Sequence, residues 1–82
     1  MKYVLIIGAS SSLGESIAYI FANNNYNLIL GYYSNELAVI NLKEEIKNNY
    51  GVSVVIERID ITNEECVKNI FIKYDIEILV NN

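Results

Sequence analysis

An α/β fold built on a parallel sheet is what this 82-residue chain predicts, and three observations carry the prediction. Four apolar runs alternate with three segments of helical periodicity, the rhythm of strand–helix–strand crossovers. The opening run, Tyr3-Val4-Leu5-Ile6-Ile7, is uninterrupted by polar residues, as a strand buried on both faces requires. Turn and cap residues cluster at the junctions: Gly8 to Gly14, Asn23-Asn24-Asn25, Ser34-Asn35, Gly51 and Thr62-Asn63. Right-handed crossovers then give a parallel βαβαβαβ chain; the expected strand order is 3-2-1-4, one of those that handedness allows.

The first strand spans roughly Lys2 to Ile7. A polar turn bounded by glycines follows, Gly8-Ala9-Ser10-Ser11-Ser12-Leu13-Gly14. The helix after it runs from about Leu13 to Asn23, with Leu13, Ile17, Ile20 and Phe21 at helical spacing. Asn23-Asn24-Asn25 ends it with residues that tolerate the left-handed conformation. Asn27-Leu28-Ile29-Leu30-Gly31-Tyr32 reads as a second buried strand.

Ser34 or Asn35 caps the next helix, with Glu36 placed favourably in its first turn. Val39, Leu42, Ile46 and Tyr50 form its apolar stripe, and Lys43, Glu44, Glu45 and Lys47 face water. Gly51 stops it. Val52 to Ile59 is a β-branched third strand. Thr62-Asn63-Glu64-Glu65 matches a capping box, Thr62 being the cap, and Val67, Ile70, Phe71 and Tyr74 make the third helix's stripe. Ile76 to Asn82 is the fourth strand. Its apolar residues Ile78, Leu79 and Val80 stand on an open edge, which invites association or a continuation of the sheet. Residues 1–82 are thus expected to form one incomplete domain.

Composition narrows the function classes. A chain this short makes one unit of marginal stability, burying only about 60% of its unfolded surface. The net charge of −4 argues against nucleic acid as a partner, since phosphate backbones need a basic patch. No run reaches the roughly 18 apolar residues of a membrane span, so no membrane role is expected. The start, Met1-Lys2-Tyr3, has no signal-peptide cleavage site, and the expected location is cytoplasmic. Cys66 is the only cysteine, which excludes an internal disulfide and fits a reducing compartment. Histidine is absent, so neither His catalysis nor a His metal site can be built from these residues.

The chemistry rests on the turn. Strand, glycine-bounded turn and helix together set backbone N–H groups and a positive helix end against an anion, most often a nucleotide pyrophosphate. Gly8 and Gly14 give a G-x5-G spacing, weaker than the dinucleotide fingerprint and found in plain strand-to-helix loops too. With order 3-2-1-4, the turn and Asn81-Asn82 border one crevice at the carboxyl edge, the topological switch point.

Ile6-Ile7-Gly8-Ala9-Ser10-Ser11-Ser12-Leu13-Gly14 resembles the T-G-x-x-x-G-x-G turn of the short-chain dehydrogenase/reductase family. Asp60-Ile61-Thr62 resembles its acidic motif after the third strand, and Leu79-Val80-Asn81-Asn82 the opening of its N-N-A-G motif. The second strand and helix look most like the 3-oxoacyl-acyl-carrier-protein reductase group. The resemblance implies a Rossmann-type sheet and a bound nicotinamide dinucleotide. Gly8 and Gly14 would admit the pyrophosphate, while Ser10, Ser11, Ser12 and Leu13 form the turn around it. Asp60 would accept from the adenine amino group with the Ile61 N–H facing the ring, and Asn81 and Asn82 would border the nicotinamide ribose. Two residues depart from the pattern. Ile7 replaces the family's Thr, and Ser12 its second glycine, where a side chain either crowds the pyrophosphate or adds a donor; Ser12→Gly is therefore expected to tighten cofactor binding.

Tyr33 and Ser34 stand where the cofactor's ribose 2′ position is read. No acid occurs there before Glu36, which favours NADP over NAD, although that stretch supplies no Arg or Lys for the phosphate. NAD is not excluded. The family's catalytic Ser and Tyr-x-x-x-Lys lie downstream of N-N-A-G in relatives, and none of the seven tyrosines here has a lysine four residues on. The expectation is the dinucleotide-binding half of an NADP-dependent carbonyl or 3-oxoacyl reductase, inactive alone and homo-oligomeric at full length. The alternative is a non-catalytic nucleotide- or partner-binding module that associates through its fourth strand. An extended epimerase-like relative fits less well, because its G-x-x-G-x-x-G turn is absent. Substrate and reaction direction are not encoded in these residues.

Overall fold

A computed structural model describes residues 1–82. The elements alternate as β1 (Lys2–Ile7), α1 (Ser12–Asn23), β2 (Asn27–Tyr32), α2 (Glu36–Tyr50), β3 (Val54–Arg58), α3 (Glu64–Lys73) and β4 (Asp75–Asn81). The four strands form one sheet in the order β3-β2-β1-β4. All pairs are parallel, with Ile7 opposite Gly31 and Asn81, and Tyr32 opposite Arg58. This is the Rossmann-type arrangement the sequence predicts. Beside β1, strand β4 skips Glu77, because Tyr3 faces Ile76 and Val4 faces Ile78.

Both faces of the sheet are covered, unequally. On one, Val4, Ile6, Leu28, Leu30 and Val54 pack with Ala18, Ala22, Val39, Leu42 and Ile46 of α1 and α2. On the other, Leu5 and Ile29 meet Ile59 and Ile70, with Val67 and Tyr74 partly buried beside them. Residues of opposite parity in β1 and β2 thus reach opposite cores, which is why those runs carry no polar alternation. Each fully buried Leu or Ile contributes about 1.5–3 kcal/mol.

Helix α1 turns a different face inward from the one its large side chains suggest. Gly14, Ala18 and Ala22 are buried, Ile17 and Phe21 only partly, while Leu13 (61% exposed) and Ile20 (62%) face out. Small residues four apart let the helix backbone lie close to β1. A Cβ on Gly14 would stand 2.2 Å from the Gly8 carbonyl oxygen and 2.9 Å from Ala9 Cα. Close packing won over side-chain size.

Other boundaries shift for local reasons. Strand β3 is shorter than the run Val52–Ile59, although Leu28 N–H still donates to the Ser53 carbonyl at 2.9 Å and Ile59 N–H to Tyr32 at 2.7 Å. Asn35 precedes α2 in the left-handed region (φ 59°) and makes no side-chain cap. Helix α3 is capped by Asn63, whose side chain accepts from Cys66 N–H at 3.2 Å; the Thr62 capping box does not form. Thr62 is engaged elsewhere, donating from its amide (3.0 Å) and hydroxyl (2.6 Å) to Asp60 Oδ1. Tyr74 ends α3 as its C-cap, and Phe71 of the expected stripe is 44% exposed. Tyr50 at the end of α2 is 36% exposed. Asn25 takes the left-handed conformation (φ 67°) after α1, as the asparagine run suggests. No helix is long and apolar enough to cross a membrane.

Candidate functional site

The carboxyl ends of the strands carry a cleft of about 460 Å³, lined at one end by Gly8, Ser10 and Asn82 and at the other by Tyr33, Ser34, Asp60 and Ile61. Its walls come from three strand-to-helix connections and the end of β4, elements the sheet order alone brings side by side.

The first connection is held from below. Gly8 N–H and Ala9 N–H both donate to the Gly31 carbonyl at 3.0 Å, and Ser11 N–H closes the turn on Gly8 at 3.2 Å. Gly8 needs its freedom here: its φ is +80°, and a Cβ would meet the Asn82 carbonyl oxygen at 2.8 Å. The Ser11 hydroxyl donates to the Gly8 carbonyl (2.9 Å) and accepts from Gly14 N–H (3.0 Å), capping α1. From the far end of the chain, Asn82 Nδ2 donates to the Gly8 carbonyl at 3.1 Å and to Ser11 Oγ at 2.6 Å. Asn82 N–H adds a bond of 3.2 Å to the Ile7 carbonyl. The turn is thereby tied to β4.

What remains free is as informative as what is bonded. The amides of Ser10, Ser12 and Leu13 donate to no protein group. They lie at the positive end of a 12-residue helix whose first turn holds a single acid, Glu15. Free N–H groups, a helix dipole and a charge-free run from Gly8 to Gly14 can receive an anionic oxygen. Ser12 opens α1 with an ordinary backbone conformation, since the only positive-φ residues other than glycine are Asn25 and Asn35. Its side chain is exposed, so no backbone strain attaches to the missing glycine.

At the opposite end, Asp60 forms a tight local turn with Thr62. The Thr62 hydroxyl, then its amide, hold the Asp60 carboxyl below the usual carboxylate range against the opposing effect of burial, with the Arg58 charge adding the least. Oδ1 takes both Thr62 bonds, and no protein group donates to Oδ2. Ile61 is 61% exposed beside it. Asn81 pairs with Ile7 at the strand end and is exposed. Ile7 lines the cleft floor, an apolar contact where a hydroxyl was expected to be lost.

The sequence-predicted residues fall into two groups. Gly8, Ser10, Tyr33, Ser34, Asp60, Ile61 and Asn82 line the cleft, and Ser11, Ser12, Leu13, Gly14 and Asn81 support or flank it. Tyr32, Ile59 and Thr62 also line it without having been anticipated. One further omission matters more. A cation does stand near the second connection: the Arg58 guanidinium lies 4.7 Å from the centre of the Tyr33 ring. It comes from β3, and the only signal for it was the register that pairs Arg58 with Tyr32.

Comparison with known proteins places this geometry in a family. The family model for short chain dehydrogenases matches residues 2–82. An uncharacterized oxidoreductase of Bacillus subtilis is 36% identical over 64 residues, covering 78% of this chain and 26% of its own length. A very-long-chain 3-oxoacyl-CoA reductase of Vanderwaltozyma polyspora is 34% identical over 87 residues, covering 99% of this chain and 24% of its own. Among solved structures, a short-chain dehydrogenase from Sphingobium yanoikuyae in complex with NADPH superimposes with a TM-score of 0.81 at 28% identity. That match covers 96% of this chain and 32% of the other. The chain therefore spans about a quarter of the length of these sequence relatives and about a third of that structure.

Proposed function

The chain belongs to the short-chain dehydrogenase family, and on that premise we propose that it is the dinucleotide-binding front part of an NADP-dependent carbonyl or 3-oxoacyl reductase. The observation that carries the reading is the set of free amides at Ser10, Ser12 and Leu13, opening beside a cleft that ends at Asp60. The amides would hold the pyrophosphate, with Gly8 and Gly14 letting turn, strand and helix lie close enough to present them. Asp60 Oδ2 would accept from the adenine amino group, and Ile61 would cover the ring. Tyr33 and Ser34 would border the adenine ribose, and Asn81 and Asn82 the nicotinamide end. The cofactor, when bound, supplies a hydride to a carbonyl carbon.

These residues bind and orient; none is placed to move the proton that a carbonyl reduction needs. Tyr-x-x-x-Lys does not occur among the 82 residues, which supports the expectation that this part alone is inactive. The reading extends to residues 1–82 as one incomplete dinucleotide-binding domain and to a cytoplasmic protein. A second reading, a non-catalytic nucleotide- or partner-binding module, draws on β4: its outer edge is unpaired and Leu79 is 49% exposed there.

The test is calorimetric titration of the full-length protein with NADPH. Saturable binding with a Kd in the range of roughly a micromolar to a hundred micromolar is expected, about 5.5–8 kcal/mol of affinity. No saturable binding would refute the dinucleotide reading. Binding without carbonyl-dependent NADPH oxidation across a panel of ketones and 3-oxoacyl thioesters would favour the non-catalytic module.

A further inference from the structure

We propose that Arg58, contributed by the third strand, grips the ribose 2′-phosphate and sets the choice of NADP over NAD; this rests on the dinucleotide reading above. Of the six basic residues, Arg58 alone ends a strand at the carboxyl edge of the sheet. Lys2 opens β1 at the opposite edge, Lys43, Lys47 and Lys68 lie in helices beyond the first turn, and Lys73 is paired with Glu57 at 2.9 Å.

Arg58 is held in place and left unpaired. Its guanidinium sits over the Tyr33 ring, 4.7 Å from the centroid, and that ring lines the cleft next to Ser34. Stacking on an aromatic face restrains a guanidinium while leaving its N–H groups free to bond. It makes no ion pair and donates no hydrogen bond within the protein, although Asp60 follows two residues later and is close enough for its carboxyl to feel the charge. An exposed, oriented, unpaired guanidinium is suited to a phosphate, which it can bind through two parallel N–H···O bonds. The Ser34 hydroxyl, which makes no bond in the protein, is a second donor, on the cleft wall next to Tyr33.

The first acid after β2 is Glu36. Its carboxylate accepts a hydrogen bond from the Tyr32 hydroxyl and does not line the cleft. The end of β2 therefore offers a ribose 2′-OH no carboxylate, and Asp60, which lines the same end of the cleft, spends Oδ1 on Thr62 and has its charge offset by Arg58.

The experiment compares 5′-AMP with 2′,5′-ADP, which differ only in the 2′-phosphate, by titration calorimetry on the full-length protein and on Arg58→Gln and Arg58→Lys. The expected result is that the wild type binds 2′,5′-ADP about tenfold to a hundredfold more tightly than 5′-AMP. Arg58→Gln should bring that ratio close to one with 5′-AMP affinity kept within about twofold, and Arg58→Lys should retain an intermediate ratio. A thermal melt of Arg58→Gln matching the wild type would show that the loss is local. The inference is overturned if Arg58→Gln keeps the wild-type ratio, or if it weakens both ligands equally. Binding of 5′-AMP with no gain from the 2′-phosphate sinks this inference alone; absence of binding by either nucleotide sinks the dinucleotide reading with it.

Discussion

Two of the strand-to-helix connections at the carboxyl edge, Gly8–Ser11 and Ile59–Asn63, have the same topology and opposite electrostatics. Both begin as a strand ends, and both deliver a polar side chain that caps a helix: Ser11 to Gly14 N–H at 3.0 Å, Asn63 to Cys66 N–H at 3.2 Å. The third connection is then closed to anions. Helix α3 carries Glu64 and Glu65 in its first turn, and Asp60 folds back on Thr62. Carboxylates already occupy the positive end of that helix. The first connection has no charge between Gly8 and Gly14, two glycines where a Cβ would collide, and a strap from Asn82. Capping alone makes a helix start. An anion site needs the start kept clear.

The largest expected effect breaks the first connection at Gly14. A side chain at this position meets backbone, the Gly8 carbonyl oxygen and Ala9 Cα, neither of which can swing aside. Gly14→Val should destabilise the fold by about 2–4 kcal/mol in denaturant titrations. Gly51, with φ +68° and open space around it, should lose only about 1–2 kcal/mol on replacement by Ala.

Making the first connection resemble the third sharpens the comparison. Ser12→Glu puts a carboxylate on the free end of α1, as Glu64 stands on α3. Nucleotide affinity should fall at least about tenfold while stability holds or rises by about 0.3–1 kcal/mol, opposite signs from one charge. The converse variant, Asn63→Ala, removes a cap and should cost about 1 kcal/mol with nucleotide binding within about twofold of wild type.

The smallest effect is in pH. Burial pushes Glu57 up, but the Tyr74 hydroxyl (2.5 Å) and Lys73 (2.9 Å) outweigh it and leave its carboxyl below the ordinary value. A lowered folded-state value means stability present above the unfolded value and lost as pH falls through the folded one. The wild type should therefore lose a little stability as pH falls from about 4.3 downward, and Glu57→Gln should lose less over the same range. At neutral pH the same substitution should cost less than about 1 kcal/mol, because Lys73 is largely exposed.

Legibility in the sequence followed burial. Strands β1 and β2 could be read to the residue because double-sided burial leaves unbroken apolar runs. Alternation and handedness gave the parallel sheet, whereas the order 3-2-1-4 was an expectation that the family resemblance supported and the sheet bears out. The inward face of α1 could not. Gly14, Ala18 and Ala22 carry little hydrophobic signal, and they are inside because closeness to β1 matters more than side-chain area. The start of α3 was misread for another reason: Thr62 was expected to cap it, but the Asp60 side chain takes the Thr62 hydroxyl and amide and Asn63 caps instead. Arg58 was invisible because its neighbour Tyr33 lies 25 residues earlier, and only strand register joins them. In the cleft, motif residues were legible; which of their acceptors are already taken was not, since that depends on Asn82 reaching back to the Gly8 carbonyl and Ser11 Oγ.

The most direct test follows backbone amides by 15N-edited NMR while the full-length protein is titrated with ADP-ribose, which carries the pyrophosphate without nicotinamide. The account predicts that the Ser10, Ser12 and Leu13 amides shift together and saturate with one affinity, while Glu64 and Glu65 stay where they are. Shifts centred on α3, or none in the serine turn at saturating ligand, would contradict it.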